Sequence, residues 1–352
     1  MATELLETIP KTFKYIYKLL GIVQFSYCKT PPKNKLSKFA PHLWCVFSYG
    51  YFINICTFYN SSNYNVKIMF YVHFLVYHGT VLLMIVLFLM FCIRSTRTKA
   101  LLIRIDQNKM KSQKSAKNNR TLVRIILLGC LLTNVVFFIF LEVGYYVYIS
   151  YCCIIISFEN IFLNDIFDCL CDKFTLINQR LETLVTTSNQ NKMDTIQDLS
   201  HHHYDLVLVT LQMLKQFEVV VTVTIVQWFV AMIDSIYTAT VLGVKSQVLT
   251  ARFGSNFSHI VFLSCWLFVL IAKFSKTQEV ANSGAIILHE VWNKHASEQS
   301  KTFRHLELIS MRMFITQVRF SACGFFNLDW TFCQTMIAAL TTYLVILLQF
   351  YV

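Results

Sequence analysis

The last 22 residues of the chain, Thr331–Val352, contain no charged residue, no proline and no glycine. A helix of about 20 apolar residues crosses the hydrocarbon core of a bilayer, so this segment predicts a transmembrane helix. Its polar and small residues recur every three or four positions and therefore share one helix face. This polar stripe consists of Thr331, Thr335, Ala338, Thr342, Val345 and Gln349.

Helix physics alone leaves two interpretations of the polar stripe open. Small and hydroxylated residues let membrane helices pack closely, and a glutamine can hydrogen-bond between them, which predicts a packing seam. Hydroxyl and amide oxygens can also replace part of the hydration shell of an ion, which predicts a pore wall.

The end of the chain resembles insect gustatory receptors. Thr342-Tyr343, five apolar residues and then Gln349-Phe350 correspond to the signature that closes these proteins, and residues 322–329 resemble the segment before it. The resemblance implies a ligand-gated cation channel of four subunits, whose last helices line the pore. It therefore favours the pore interpretation of the stripe, with Thr335, Ala338, Thr342, Val345 and Gln349 as pore-lining residues.

Composition independently indicates a membrane protein. The chain is 55% hydrophobic and 14% charged, with a mean hydropathy of +0.51, whereas a soluble domain carries about 25% charged residues. The net charge of +12 comes from basic residues that flank hydrophobic stretches. This arrangement favours a lipid bilayer rather than nucleic acid as the partner.

The hydrophobic pattern predicts an all-α fold with seven transmembrane helices. The predicted order is a basic N-terminal segment (1–42), helices one to four (43–163), a helical extension (164–216), helices five and six (217–274), an anchor region (275–330) and helix seven (331–352). Of the 31 Lys and Arg residues, 27 lie in 1–42, 94–120, 164–216 and 273–320. The positive-inside rule then predicts a cytoplasmic N-terminus and an extracellular C-terminus. Two glycosylation sequons, at Asn60 and Asn256, fall on the predicted outer side.

Other classes of protein fit the sequence less well. G-protein-coupled receptors have the opposite orientation and commonly carry proline within their spans, whereas this chain has no proline after Pro41. A secondary transporter would show repeat symmetry or helices broken at mid-membrane, and neither is visible in the sequence. His289-Glu290 begins a zinc-protease pattern, but Asn293 occupies the position of the second histidine. We therefore expect no enzyme activity, no cofactor and no metal site.

Polar and aromatic residues in the outer halves of the spans are candidates for a ligand pocket, because an ionisable group in a membrane needs a cavity or a partner. An interfacial aromatic belt is the alternative interpretation for many of them. The candidates are Glu142, Tyr145, Tyr146, Tyr148, Gln227, Trp228, Asp234, Tyr237, His259 and Trp266.

The predicted function is that of a gustatory receptor in the plasma membrane of sensory neurons. An extracellular small-molecule tastant would open a non-selective cation channel formed by a homo- or hetero-tetramer, as the resemblance implies. The content of 31 phenylalanines slightly favours bitter plant compounds over sugars. The alternative within this class is an odorant-receptor-like subunit that needs a partner subunit.

Overall fold

The computed structural model describes residues 79, 97–105, 117–141, 145–186, 192–244, 251–295 and 301–349. These residues are almost entirely helical, and residues 97–105 form a helical stretch. The remaining described helices are α1 (Lys117–Leu141), α2 (Tyr145–Thr186), α3 (Lys192–Val244), α4 (Ala251–His295), α5 (Lys301–Ile315) and α6 (Trp330–Gln349).

Three of the helices are too long to lie wholly within a bilayer. The lengths of α2, α3 and α4 are 42, 53 and 45 residues. At about 1.5 Å per residue they measure roughly 63–80 Å, at least twice the ~30 Å hydrocarbon core. The periodicity of residues 164–216 predicts that helices continue beyond the membrane. Helix α2 runs unbroken past Leu163 to Thr186, and the position of the membrane boundary stays a prediction.

Membrane-spanning character is clear in three of the described helices. Stretches long and apolar enough to cross a bilayer occur within Asp194–Thr240, Asn256–Glu290 and Trp330–Gln349. Helix α1 holds a shorter apolar stretch, Val123–Thr133. The predicted first two spans lie almost wholly outside the described residues, so the number of seven spans stays a prediction.

Helix α4 is the centre of the packing, because it contacts α1, α2, α3, α5 and α6. Just beyond the predicted ends of spans four and six, three buried aromatic rings pack together. The Phe274 ring stacks on Phe320 with 4.8 Å between ring centroids, and Phe167 meets their edges at 5.0 and 5.3 Å. This cluster attaches the segment that leads to α6, through Phe320, to the long helices α2 and α4.

Two ion pairs cross between helices at the same level. Arg124 of α1 donates to Asp165 of α2 at 2.6 Å, and Lys273 of α4 pairs with Asp168 of α2. All four side chains are largely shielded from solvent, the most exposed at 16%. We call these four residues the ion-pair layer. Removing one partner of a buried pair costs about 3–5 kcal/mol, so the layer fixes how α1 and α4 sit against α2.

A two-stranded hairpin precedes α6. Strands β1 (Ser321–Ala322) and β2 (Phe326–Asn327) are antiparallel, and the Phe325 amide donates to the Ala322 carbonyl at 2.9 Å. Both central residues of the turn, Cys323 and Gly324, have positive φ (50° and 76°), which is the geometry of a type I′ turn. The sequence analysis did not predict this hairpin, because cysteine seldom adopts the conformation that the first central position requires.

Candidate functional site

The polar stripe of α6 lies on the surface of the protomer. Its six residues, Thr331, Thr335, Ala338, Thr342, Val345 and Gln349, are all exposed. The hydroxyls of Thr335 and Thr342 each donate to the backbone carbonyl four residues earlier, at 3.0 Å. With their protons engaged in this way, the hydroxyl oxygens remain available only as acceptors, which is the polarity that a cation needs.

The opposite side of α6 packs on α3 and α4. Phe332, Cys333 and Leu340 are its buried residues. Of the four family-motif residues, Tyr343 meets the Phe229 ring of α3 edge to face, with 5.8 Å between centroids. Thr342 and Gln349 belong to the exposed stripe, and Phe350 lies outside the described residues. The motif therefore combines a residue that packs on α3 with two that face away from the protomer.

The beginning of α6 is fixed by an N-cap. The Asp329 carboxylate accepts from the Phe332 amide at 3.0 Å and also from the Thr331 hydroxyl. The Thr331 hydroxyl, followed by the Phe332 amide, lowers the pKa of Asp329. Asp329 is therefore a fixed negative charge two residues before the stripe begins, in the position where a carboxylate stabilises a helix.

Part of the predicted ligand pocket does come together between α3 and α4. Ser235 Oγ and His259 Nδ1 are 2.9 Å apart, and Asp234 interacts electrostatically with His259. Trp228 donates through Nε1 to the Leu263 carbonyl at 2.8 Å. Tyr237, one turn after Asp234, is 1% exposed. We call the residues Trp228, Asp234, Ser235, Tyr237 and His259 the outer polar group.

Gln227 contacts a different neighbour. A Cβ added at Gly79, in the predicted second span, would approach Gln227 Oε1 to 2.2 Å. The side-chain amide of Gln227 therefore lies directly against the backbone at Gly79, in the space that the Cβ of another residue would occupy.

The remaining ligand candidates divide into three cases. Glu142 lies outside the described residues, and Tyr145, Tyr146 and Tyr148 lie in the first two turns of α2 without described side chains. Trp266 is buried, but it lines a cavity with Glu159 and Asn160 rather than the outer polar group. The predicted pocket therefore joins residues that belong to two separate sites.

The sequence analysis missed Glu159 and Asn160, although the signal was present. Both fall inside an otherwise apolar run of the predicted fourth span, where an ionisable side chain marks a functional position by default. The candidate list covers only the outer halves of the spans, and these two residues lie near the predicted inner end of the fourth span. The structure buries them to 3% and 2% exposure.

The three consecutive histidines have separate environments, as the helical geometry predicts. His201 is exposed, and His202 faces Asp198 at 3.7 Å. His203 is buried and bonds to the Ala281 carbonyl at 2.9 Å, and burial lowers its pKa to about 4. Within the described residues, no group of three or more His, Cys, Asp or Glu side chains could hold a metal ion.

Of the two sequons, Asn256 lies half-buried in the first two turns of α4, and Asn60 lies outside the described residues. Neither prediction of glycosylation is tested by these positions.

Comparison with known proteins gives consistent results. The family model described as "7tm Chemosensory receptor" matches residues 12–352. Over 137 residues the chain is 30% identical to the Drosophila melanogaster protein named "Putative gustatory receptor 28b". That alignment covers 37% of this chain and 28% of the relative, so it spans less than a third of the relative's length.

Solved structures with the same fold include those of the insect olfactory receptor OR5 from Machilis hrabei. The complex of that receptor with eugenol superposes with a TM-score of 0.74 and 13% identity, over 96% of this chain and 98% of the receptor. A second structure of the same receptor superposes with a TM-score of 0.71 and 11% identity, over 96% of this chain and 97% of the receptor. At these identities the likeness establishes a common fold.

Proposed function

Because the chain belongs to the 7tm chemosensory receptor family, we propose that it is a gustatory receptor that acts as a ligand-gated cation channel. An extracellular tastant binds within the helix bundle of each subunit, and this binding moves α6. Four copies of α6 around a common axis line a non-selective cation path. The family and the apolar helices make the chain a multi-pass membrane protein.

The observation that carries this proposal is the exposure of α6. Only 11% of the residues in its most apolar stretch are buried within the protomer, against 56% for the corresponding stretch of α3. The polar stripe is part of the uncovered surface. A stripe of hydroxyl and amide groups is costly against lipid, whereas around a central axis it lines a hydrated path.

A second uncovered surface supports assembly through the predicted cytoplasmic region. Helix α5 exposes Leu308, Met311 and Ile315, which are 65%, 55% and 83% exposed and share one helix face. Apolar side chains in such a row are typical of a contact between subunits. We infer that α5 and α6 together hold the tetramer, with α5 contributing on the cytoplasmic side.

The outer polar group supports a ligand site of aromatic character. Trp228, Tyr237 and His259 supply ring surface, and Asp234 supplies a carboxyl group. Such a site suits an apolar compound with one or two polar groups better than a sugar, whose many hydroxyls each need a partner. This favours bitter plant compounds, and the similarity to a gustatory receptor favours taste over smell.

The proposed orientation places the N-terminus in the cytoplasm and the C-terminus outside. In this orientation, the ion-pair layer lies at the inner membrane surface, where charged side chains cost less than at the bilayer centre. Asp329 then lies at the inner end of the path, and Gln349 lies near the outer mouth.

The test compares two positions on the stripe, expressed in cells and recorded electrically. Gln349→Ala removes an amide that coordinates ions, so we expect altered permeability ratios with an unchanged half-maximal ligand concentration. Val345, one turn deeper than Gln349 on the stripe, would form a narrow apolar ring that excludes water from the closed path. Val345→Ser should let water into this ring, so we expect current without ligand. Leu344→Ser and Leu347→Ser change half-buried residues on other faces, so they should reduce expression without changing permeation.

The packing-seam interpretation predicts the opposite result for Gln349→Ala. Assembly on native gels would be lost, and the surviving channels would keep normal permeability ratios. That combination would exclude the pore assignment. A receptor that gives current only with a co-expressed second subunit would favour the odorant-receptor-like alternative.

A further inference from the structure

A small cavity lies where α2, α3 and α4 meet. Glu159 and Asn160 line it from α2, Val220 and Thr224 from α3, and Trp266 from α4. Its free space suffices for about one water molecule and is far below what a tastant needs. The cavity is therefore too small to be a ligand pocket of the kind proposed above.

The polar atoms around this cavity are buried and have no partner among the described residues. They are Glu159 Oε1, both side-chain polar atoms of Asn160 and Trp266 Nε1. The three residues are 3%, 2% and 5% exposed. Buried polar side chains nearly always have a hydrogen-bond partner, so three of them around one cavity indicate a bound group.

The arrangement of donors and acceptors identifies that group. Trp266 Nε1 can only donate, whereas a carboxyl oxygen of Glu159 and the amide oxygen of Asn160 can accept. The Thr224 hydroxyl donates to the Val220 carbonyl at 2.8 Å, so its oxygen also remains an acceptor. A metal cation would be repelled by the indole N–H and would leave it unbonded. A water molecule can accept from the indole and donate to two oxygens, which is the usual number of bonds for a buried water.

We propose that this cavity binds one ordered water molecule, bonded to Glu159, Asn160 and Trp266. The water joins α2 to α4 within the membrane. Its partner on α2, Glu159, lies six residues before Asp165 of the ion-pair layer. It thus fixes the contact between these helices on the membrane side of the ion pairs, at a site separate from the outer polar group.

Hydroxyl-radical footprinting by X-ray radiolysis tests this proposal on the full chain in lipid nanodiscs, because the radicals form from water and label adjacent side chains. Trp228 is a matched control: it is 4% exposed, as Trp266 is 5%. Although it belongs to the proposed ligand site, its indole N–H already donates to the Leu263 carbonyl and needs no water as a partner. We expect Trp266 to be oxidised several-fold faster than Trp228. Equal rates for the two tryptophans would overturn the proposal.

A variant assigns the water to its partners. Glu159→Leu removes one acceptor and fills part of the cavity with a chain of similar size, so oxidation of Trp266 should fall to the rate of Trp228. Oxidation of Trp228 in the same variant reports whether the bundle remains folded. Unchanged, fast oxidation of Trp266 in a folded Glu159→Leu protein would show that the carboxyl group does not hold the water. If the variant does not fold, the comparison of the two tryptophans in the unaltered protein decides alone.

Discussion

Gly284 allows the long helices α2, α3 and α4 to meet beyond the predicted spans, and its replacement by alanine should destabilise the protein. An added Cβ would lie 2.7 Å from Asn178 Oδ1 and 2.9 Å from His203 Nε2. Both side chains are buried and are held by hydrogen bonds. Asn178 donates to the Val280 carbonyl at 2.8 Å and to Ser283 Oγ at 2.9 Å, and His203 bonds to the Ala281 carbonyl at 2.9 Å.

The magnitude follows from these contacts. Displacing both side chains breaks three hydrogen bonds, each worth about 1 kcal/mol. Alanine recovers at most about 1 kcal/mol through its higher helix propensity. The net loss of stability is therefore about 2 kcal/mol, within the range of about 1–3 kcal/mol observed for overpacked cores.

Gly129 is the matched control for this substitution. It also lies within a helix, but a Cβ added there meets no atom within 4 Å. Gly129→Ala should therefore stabilise the protein slightly, through helix propensity alone. The two variants are compared by the Tm of purified protein in detergent, followed by fluorescence-detected size exclusion.

A double variant checks the mechanism. Asn178→Ala removes the atom that the new Cβ would approach most closely, so Gly284→Ala should cost less on that background than on its own. A Gly284→Ala protein with a Tm equal to that of Gly129→Ala would refute the steric argument.

Three further predictions concern the ligand, the pH response and the topology. Asp234→Asn should raise the half-maximal ligand concentration about tenfold through loss of a charge-assisted hydrogen bond, with unchanged single-channel conductance; an unaltered dose–response curve at normal surface expression would return Asp234 to a structural role. Burial lowers the pKa of His203 to about 4, so the unfolded chain binds a proton at about pH 6.5 before the folded one does. Stability should therefore fall between pH 6.5 and 4, by up to about 1.4 kcal/mol per pH unit, and His203→Gln should have a shallower slope in pH-dependent unfolding. A tag after Val352 should be labelled on intact cells, and labelling only after permeabilisation would contradict the orientation.

Sequence reasoning identified surfaces better than it identified partners. The spacing of Thr335, Thr342 and Gln349 defines one face of α6, and the structure exposes that face as a unit. Periodicity does not state which helix covers which face, however. The sequence analysis groups Trp266 with Asp234 because both fall in the predicted outer halves of their spans. In the structure, Trp266 lines a cavity together with Glu159.

Contacts between distant residues explain most of what the sequence did not reveal. The pairing of Arg124 with Asp165 spans 41 positions, and that of Lys273 with Asp168 spans 105. In the sequence, each of these four residues is an ordinary charged residue near the end of a predicted span, and nothing indicates its partner. The hairpin at Cys323 and Gly324 was missed for a different reason. Its turn depends on backbone angles that the long-range packing imposes on a residue type that does not favour them.

The continuous helices also have a mechanical consequence. A rod of 45 residues, as α4 is, measures about 68 Å and cannot bend sharply without breaking its own hydrogen bonds. With the ion-pair layer as the fulcrum, at Lys273 in the middle of α4, a tilt of about 5° displaces either end, about 33 Å away, by roughly 3 Å. The two arms of such a lever move in opposite directions. A small adjustment around a ligand at one end would therefore reach the opposite end as a displacement of comparable size, without any local unfolding between them.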